Sequence, residues 1–390
     1  MKILILSFYY FPDLCAGSFR CTAFVEALRK HVSTDTRIEV MTTAPNRYAS
    51  FGVEAPAHEI QLGLNIERIS LLTHKSGMLD QAKAFIHFSI EVNKRIKHRD
   101  YDLVFATSSR LMTAALGAWI ARKKNAKLYL DIRDLFIDTI EDVLPRKLSI
   151  ALKPIFSFIE KKSVGIAEQV NLVSRGFEAY YKQHYPAVKL SWFTNGIDSE
   201  FIAPNNTRHT KSNSTEPLTV LYAGNIGEGQ GLHAIIPELA KRMEGRVSFK
   251  IIGDGGRKAH LITALEHAQC HNVELMPPLS RAELIQQYQQ ADVLFLHLND
   301  YKAFGKVLPS KIFEYAAMGK PIWAGIAGYS AEFVRTEVCN AVIFYPCHAS
   351  EAEAVFSNLK LENIARLDFI EKYKRSHIMN AMALNMLSLL

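Results

Sequence analysis

Short apolar runs alternate with longer segments of mixed polarity along the first half of the chain. Runs of this length between polar residues predict buried strands. They lie at Lys2–Ser7, Ile38–Thr42, Leu103–Ala106, Lys127–Asp131 and Gln169–Val173. The segments between them have helical spacing of apolar residues, at Cys21–His31, Phe85–Lys97 and Leu111–Lys124. This alternation predicts a parallel sheet with helices on both faces.

The same alternation starts again in the second half. Predicted strands are Thr219–Tyr222, Ser248–Ile252, Val273–Leu275, Val293–Leu296 and Pro321–Ala324. Predicted helices are Leu232–Met243, Arg257–Gln269, Arg281–Tyr288 and Lys311–Met318. Between the halves, residues 201–217 are polar and lack apolar periodicity, which is typical of a linker.

These patterns predict an α/β protein with two doubly wound, Rossmann-like domains. The length of 390 residues also exceeds one typical core. We expect an N-terminal domain at 1–203, a C-terminal domain at 204–366, and a helix at 367–390 that either caps the second domain or packs back on the first. Doubly wound sheets bind ligands outside the carboxyl ends of their strands, so the predicted site lies in the cleft where the two domains face each other.

The composition is that of an ordinary globular protein, with 48% hydrophobic and 22% charged residues and no low-complexity tract. No apolar run reaches the roughly 18 residues that a membrane span needs. The apolar run at the start is too short for a signal peptide. The five cysteines are odd in number and lack metal-ligand spacing, which predicts a reducing, cytoplasmic location.

The net charge of +7 is concentrated in the first half. The first 200 residues carry 27 Lys and Arg against 21 Asp and Glu, and the rest carry 19 against 18. A basic first half could face anionic lipid or a phosphorylated substrate. Because no nucleic-acid motif is present, we expect no nucleic-acid partner. Residues Arg146–Lys162 predict either a basic amphipathic helix at an anionic membrane surface or a core-facing helix broken near Pro154.

Residues 305–322 carry the densest group of candidate site residues. A glycine–proline loop leads Ser310 and Lys311 into a predicted helix, with Glu314 one turn later. A helix N-terminus beside a hydroxyl and an ammonium can bind an anion. A carboxylate on the same face can accept two hydrogen bonds from sugar hydroxyls. The segment therefore indicates a site for a diphosphate and a ribose; the alternative is a capped helix whose Glu314 faces water.

Three glycine-containing loops follow predicted strands. Gly17 precedes a helix, with Arg20 as a charged donor, and Asn225 and Gly227 lie in a loop with four glycines. The third loop contains Gly253 and Asp254. Such loops let a phosphate approach the backbone, although each is also explained by a tight turn. The spacing is not the dinucleotide fingerprint, so we do not expect NAD binding.

Asp131, Arg133 and Asp134 follow a predicted strand of the first half. Buried strand ends tolerate charges only if these pair or take part in function. The three residues form either a structural ion-pair cluster or the wall of the site that handles the reacting sugar. The 14 histidines show no triad-like or metal-like spacing, so we assign them no role and expect no metal.

The order of these motifs resembles that of a known family. Asn195-Gly196-Ile197-Asp198, the loop 223–227, Gly253-Asp254-Gly255-Gly256 and the segment 309–321 resemble the group 1, or family 4, glycosyltransferases. The loops 9–20 and 131–135 resemble a bacterial subgroup that acts on surface polysaccharide. The resemblance implies the GT-B fold, a nucleotide sugar bound by the C-terminal domain, an acceptor bound by the N-terminal domain, retention of anomeric configuration, and neither a metal nor a cofactor.

Three positions depart from the family pattern. Lys306 stands where relatives often have a second glutamate, Asn225 and Gln230 stand where they have Arg and Lys, and Arg133 replaces a common His. The diphosphate must then be held by other cations, for which Lys311, Lys306, Arg257 and Arg20 are available. The predicted donor-binding residues are Gly17, Arg20, Asn225, Gly227, Gly253, Asp254, Lys306, Leu308, Ser310, Lys311 and Glu314. The predicted catalytic residues are Asp131, Arg133 and Asp134, with Asp131 or Asp134 beside the anomeric carbon.

The sequence thus predicts a glycosyltransferase that uses a UDP-sugar rather than a GDP-sugar. We expect a lipid-linked or oligosaccharide acceptor and a location in the cytoplasm or at the inner membrane face. Two alternatives remain, a nucleotide-sugar epimerase of the same fold and a catalytically silent partner subunit.

Overall fold

The computed structural model describes residues 1–46, 54–71, 78–108, 111–143, 146–202 and 216–390. They form two compact units. Unit 1 comprises Met1–Asn195 and Ser376–Leu390, and unit 2 comprises Gly196–Arg375. The predicted domain boundary at 203/204 and most of the predicted linker lie outside the described residues. The units divide instead at Asn195–Gly196 and again at Arg375–Ser376, so the C-terminal segment belongs to unit 1.

Both units are built around a mainly parallel sheet. The strands of unit 1 are β1 Lys2–Leu6, β2 Arg37–Thr43, β3 His58–Gln61, β4 Leu64–Ile69, β5 Leu103–Ser108, β6 Lys127–Ile132, β7 Gln169–Leu172 and β8 Leu190–Ser191. Those of unit 2 are β9 Leu218–Asn225, β10 Val247–Asp254, β11 Val273–Met276, β12 Val293–His297, β13 Ile322–Gly325 and β14 Ala341–Phe344.

Helices connect these strands. Unit 1 contains α1 Ala16–His31, α2 Met78–Ile96, α3 Leu111–Lys124, α4 Phe136–Val143, α5 Arg146–Val164 and α6 Glu178–His184. Unit 2 contains α7 Leu232–Arg242, α8 Lys258–His267, α9 Arg281–Gln290, α10 Lys311–Ala317, α11 Gly328–Glu337, α12 Ala349–Phe356 and α13 Leu367–Lys372. Helix α14, Arg375–Leu387, begins at the second boundary between the units. Within the described ranges, no helix has the length and apolar character needed to cross a bilayer.

The strand order places a topological switch point in each sheet. In the described part of unit 1 the order is β3-β4-β2-β1-β5-β6-β7-β8, with only β3 and β4 antiparallel. The sheet of unit 2 has the order β11-β10-β9-β12-β13-β14 and is parallel throughout its described strands. The order reverses between β1 and β5 in unit 1 and between β9 and β12 in unit 2, where ligand sites of such sheets form.

Helix α5 corrects one expectation, because it continues through Pro154 without a break. Proline removes one backbone donor, and the freed carbonyl belongs to the residue four positions earlier, Ile150. Both residues are exposed, so water can solvate that carbonyl. The helix is also not core-facing along most of its length, because Ile150 and Phe158 are 64% and 62% exposed.

The C-terminal segment is divided between the units. Helix α13 lies in unit 2, and α14 packs on the sheet of unit 1. Met379, Met382 and Met386 share one apolar core with side chains of β1, β2, β5, β6 and α1. Tyr129 on β6 also donates a hydrogen bond from its hydroxyl to Asn385 Oδ1, at 3.1 Å.

A buried ion pair joins α1 to β6 and corrects two site assignments. Arg20 donates two hydrogen bonds to Asp131, from Nε to Oδ2 at 2.9 Å and from Nη2 to Oδ1 at 2.8 Å, and each residue is 1% exposed. Further Arg20 bonds reach the carbonyls of Phe193 and Thr194, both at 2.7 Å. Arg20 therefore does not bind the donor phosphate, because its guanidinium is bonded to Asp131 and to two backbone carbonyls. Asp131 does not face the reacting sugar, because its carboxylate is bonded to Arg20 and to the side chains of Asn171 and Thr107.

The surroundings of Asp131 keep it ionised. Burial works to raise the pKa of its carboxyl, but the Arg20 charge and the hydrogen bonds from Arg20 and Asn171 hold that pKa below its usual value. Asn171 Nδ2 donates to Oδ1 at 2.8 Å, and the Thr107 hydroxyl donates to Oδ2 at 3.1 Å. A charge buried this deeply is tolerated only with such a set of partners.

We predict that the Arg20–Asp131 pair is strongly coupled. Asp131→Asn leaves the guanidinium buried without a counterion and should cost about 3–5 kcal/mol of stability in unit 1. In a double-mutant cycle with Arg20→Met, the coupling energy should be at least about 2 kcal/mol. Native-state hydrogen exchange of the β6 amides measures these values for unit 1 alone.

The exposed pair Glu178–Lys182 of helix α6 provides the control. Because this pair is partly solvated, its coupling should stay below about 0.5 kcal/mol. A buried pair that couples no more strongly than this control would contradict the structural role.

Candidate functional site

The candidate site of unit 2 lies where strands β9 and β12 separate. Their pairing consists of Val220 with Val293 and Leu221 with Leu294. Strand β9 then continues beside β10 as far as Asn225. The carboxyl end of β9 is thus left without β12 on one side, at the switch point of the sheet. This is the position where doubly wound sheets bind ligands.

Helix α10 contributes its side chains at this separation. The Tyr315 hydroxyl accepts a hydrogen bond from the backbone N–H of Ala223, at 3.3 Å, and so replaces a bond of the sheet. The Tyr288 hydroxyl donates to Glu314 Oε2, also at 3.3 Å. Burial raises the pKa of both tyrosines, so they act as neutral hydrogen-bonding groups. Glu314 Oε1 has no hydrogen-bonding partner within the described ranges.

Lys311 places its ammonium at the carboxyl end of β9. A Cβ at Gly224 would overlap Cε and Nζ of Lys311, so the side chain lies directly against the Gly224 backbone. Its Nζ is 5.8 Å from the centre of the Tyr222 ring. Burial lowers the pKa of Lys311, which the charge of Glu314 partly opposes. Since none of the described residues hydrogen-bonds this ammonium, it is available to an anionic ligand.

Two of the other cations proposed for the diphosphate, Arg257 and Arg20, are engaged in ion pairs. Arg257 forms an ion pair with Glu228, which also accepts a 2.6 Å bond from the Tyr301 hydroxyl. Lys306 lies in the 3-10 helix Lys302–Lys306 and is half-buried. Arg20 is consumed by Asp131, as described above. Lys311, whose ammonium lies against the end of β9, is therefore the cation of unit 2 that the geometry supports for a diphosphate.

Asn225 and Gln230, which stand where relatives have Arg and Lys, hydrogen-bond to each other. The Asn225 amide donates to Gln230 Oε1 at 2.7 Å and lies against Gly227. The pair closes the loop after β9 and contributes no charge.

The loop after β10 packs against the loop after β9. Gly253 has φ +152°, and a Cβ there would clash with the carbonyl oxygen of Gly224. Asp254 Oδ1 accepts a 2.8 Å bond from the Gly255 N–H. These predicted residues therefore shape the two loops, and Gly253 is needed for their close approach.

The start of α10 differs from the predicted anion site. The N–H groups of Ile312 and Phe313 donate to the carbonyls of Pro309 and Ser310, at 3.2 and 3.1 Å. The Ser310 hydroxyl makes no capping bond. Two first-turn donors that the sequence assigned to phosphate are therefore already used by the backbone. The Ser310 hydroxyl and the Lys311 ammonium remain as candidate anion-binding groups of this turn. Leu308 is buried and supports the loop through packing.

His297, to which the sequence assigned no role, holds the loop after β9. Its Nδ1 donates to the Gln230 carbonyl at 2.7 Å, and its Nε2 accepts from the Cys347 N–H at 3.0 Å. This pattern requires the neutral ring. Burial lowers the pKa of His297 to about 4, against a smaller opposing effect of the Gln230 bond. Its position at the end of a fully apolar strand was the available signal for such a role.

In unit 1, Gly17 and Arg133 come together. A Cβ at Gly17 would overlap the Arg133 guanidinium, and Arg133 Nε is shielded from water and unbonded within the described residues. The Ser18 hydroxyl is likewise buried and unbonded there. Asp134 is solvent-accessible, yet the protein around it raises the pKa of its carboxyl, with Arg133 opposing the shift. Among the described side chains, no cluster of three or more His, Cys, Asp or Glu could hold a metal.

We predict that acid destabilises unit 2 through His297. Because its folded pKa lies below the usual 6.5, the neutral ring stabilises the fold fully above pH 6.5, and this contribution is lost as the pH falls towards 4. The loss should reach roughly 3 kcal/mol below pH 4. Urea unfolding at pH 7 and pH 4.5 should show a smaller decline for His297→Gln than for the natural chain.

Histidine-selective NMR labelling checks the cause. The resonance absent from His297→Gln identifies the ring, and its titration midpoint should lie well below pH 6. A midpoint near 6.5 would refute the assignment.

Comparison with known proteins relates the second half of the chain to one family. Residues 205–376 match the family model described as glycosyl transferases group 1. A putative colanic acid biosynthesis glycosyl transferase of Escherichia coli (strain K12), WcaI, is 33% identical over 100 residues. That alignment covers 26% of this chain and 24% of the relative, so the chain matches about a quarter of the relative's length.

Solved structures match over nearly the whole chain. Sucrose-phosphate synthase from Thermosynechococcus elongatus has a TM-score of 0.75 at 13% identity, covering 100% of this chain and 99% of its own. WaaG, a glycosyltransferase involved in lipopolysaccharide biosynthesis, has a TM-score of 0.66 at 11% identity, covering 98% and 95%. Anabaena Alr3699/HepE, solved with UDP, has a TM-score of 0.62 at 16% identity, covering 100% of both chains. These likenesses show the fold. The chain has the GT-B fold, and its residues 205–376 match the group 1 glycosyl transferases.

Proposed function

We propose that this protein transfers a sugar from a nucleotide sugar to a glycan acceptor in bacterial surface polysaccharide synthesis. The observation that carries the proposal is the Lys311 ammonium against Gly224, at the switch point of a group 1 glycosyl transferase sheet. The colanic acid relative and WaaG support the polysaccharide pathway, and the structure of HepE with UDP supports a UDP-sugar rather than a GDP-sugar. We further propose a lipid-linked acceptor and a site of action at the inner membrane face.

Unit 2 is proposed to hold the donor. Gly224 has no side chain, so a diphosphate can approach the end of β9 closely while Lys311 neutralises its charge. Glu314 keeps Oε1 for the ribose hydroxyls, because Tyr288 occupies Oε2. A bound anion would also favour the charged form of Lys311, whose pKa burial lowers.

The same arrangement suits departure of a nucleoside diphosphate. In the reaction the bond between the anomeric carbon and the phosphate oxygen breaks, the acceptor oxygen bonds to that carbon, and negative charge grows on the leaving phosphate. A cation fixed beside that phosphate stabilises the transition state. We propose that Lys311 supplies this charge without a metal ion, and that the reaction retains anomeric configuration.

Unit 1 is proposed to hold the acceptor. Asp134 is accessible, and its raised pKa suits a group that exchanges a proton with an acceptor hydroxyl. Arg133, shielded against Gly17, can bind an anionic group of either substrate. Asp131 is excluded from these roles because it belongs to the buried pair with Arg20.

Lys311→Ala should weaken UDP binding by at least about tenfold, because a charge-assisted contact to phosphate is lost. Isothermal titration calorimetry measures this, and Lys360→Ala, an exposed lysine of the same unit, is the matched control. The substitution should not destabilise the protein without ligand, because burial already disfavours the charged form of Lys311 in the folded state. Equal affinities for both variants would remove Lys311 from the phosphate site.

A donor panel tests the function as a whole. Thermal shift with UDP-, GDP- and ADP-sugars should show stabilisation by a UDP-sugar. Transfer to a lipid-linked acceptor should persist in EDTA, and NMR of the product should show retained anomeric configuration. Stabilisation by no donor at millimolar concentration would overturn the proposal. Donor turnover without acceptor would identify an epimerase, and binding without turnover would identify a silent partner subunit.

A further inference from the structure

Helices α2 and α3 lie on one face of the unit 1 sheet, and α5 packs against α3. Gly117 of α3 packs against Leu6, Ala106 and Leu128. The neighbouring strand residues, such as Phe105 and Tyr129, point to the opposite face and pack with α1 and α14. Helix α3 lies beside α5 and lines a groove together with α2. The outer surfaces of the three helices therefore belong to one side of unit 1.

The groove between α2 and α3 is apolar with a basic rim. It is a shallow, open groove of about 640 Å³, and its apolar lining includes Ile86, Ile90 and Trp119, which are 58%, 49% and 47% exposed. Lys97 and Lys123 also line it, as does Lys94, which forms an ion pair with Glu91, and none of its lining residues is acidic. Exposed apolar surface of this kind marks an interaction site.

An aromatic residue followed by a lysine four positions later occurs on both neighbouring helices. On α3 the Lys123 Nζ lies 4.5 Å from the Trp119 ring centre, and on α5 the Lys162 Nζ lies 5.6 Å from that of Phe158. Phe158 is 62% exposed. A lysine whose stem runs along an exposed ring presents its charge at the edge of an apolar surface, which matches the boundary between acyl chains and headgroups.

From this surface we infer that helices α2, α3 and α5 dock on a bilayer that contains anionic phospholipid. Apolar side chains would enter the acyl boundary while the lysines contact lipid phosphates. A second copy of this chain fits less well, because a two-fold contact presents the same patch on both subunits and brings lysines towards lysines. The inference rests on the proposed function, which supplies the lipid-linked acceptor. It deepens that function by naming the surface that contacts the membrane.

Vesicle sedimentation of the full chain tests the inference. The chain should bind phosphatidylcholine vesicles that contain phosphatidylglycerol and should bind pure phosphatidylcholine vesicles far less. Trp119→Ser/Phe158→Ser should weaken binding at least about tenfold through lost apolar burial. The separate triple variant Lys97→Gln/Lys123→Gln/Lys162→Gln should also weaken vesicle binding, by roughly fivefold for each lysine removed. Added salt should weaken vesicle binding of the natural chain, because it screens the same charges.

Matched controls lie elsewhere on unit 1. Ile60 and Leu62 on the β3–β4 hairpin are each 83% exposed, and Ile60→Ser/Leu62→Ser should change vesicle binding less than about twofold. Lys2→Gln/Lys30→Gln/Lys189→Gln removes the same charge from other exposed positions and should have a much smaller effect than the triple variant on the docking helices.

Failure to bind anionic vesicles, or equal binding by docking and control variants, would overturn the inference. So would light scattering that shows a dimer in solution which Trp119→Ser/Phe158→Ser dissociates. UDP-sugar binding, measured without vesicles on the same variants, separates the two proposals. Normal donor binding without vesicle binding rejects the docking surface alone, and vesicle binding without donor binding rejects the proposed function alone.

Discussion

The buried bond between Arg20 and Asp131 is the constraint on which unit 1 depends. One guanidinium satisfies the carboxylate of β6 and the carbonyls of Phe193 and Thr194, and its Nη2 lies 3.4 Å from the sulfur of Met382 on α14. Since neither charge can be left unpaired in an apolar interior, α1, β6 and the segment after β8 must assemble in a single arrangement. That arrangement also fixes the first turn of α1, which contains Gly17 rather than following it as predicted, and beside which Arg133 lies.

The sequence predicted most of the fold because most strands are continuous apolar runs. All ten predicted strands occur, with ends that differ by a few residues. The β3–β4 hairpin was not predicted, since β3 is largely exposed and carries no apolar run. Strand β14 was also missed, although its four residues are all apolar. Helix α5 passes through Pro154 because that part of the helix faces water, a fact that spacing alone does not reveal.

The site was predicted by residue type but not by partner. Lys311 and Glu314 lie at the switch point of unit 2, whereas Arg20, equally plausible from its loop, is neutralised by a carboxylate 111 residues away. The contributions of Tyr315 and His297 were missed because both bind backbone groups, which have no signature in the sequence. The separation of β9 from β12 gives these side chains their roles. Because this separation arises from the tertiary structure, the sequence pattern does not predict it.

Helix α14 has a consequence for how the chain is made. Its methionines complete an apolar core whose other members come from the first strands of unit 1, yet the ribosome synthesises the whole of unit 2 between them. Until α14 emerges, that apolar face of the unit 1 sheet is covered by α1 but lacks the part of its cover that α14 supplies. Partly folded chains with such faces aggregate or bind chaperones. In this protein the order of synthesis therefore differs from the order of assembly. Unit 1 is synthesised first but completed last, so it needs protection from aggregation for longer than unit 2.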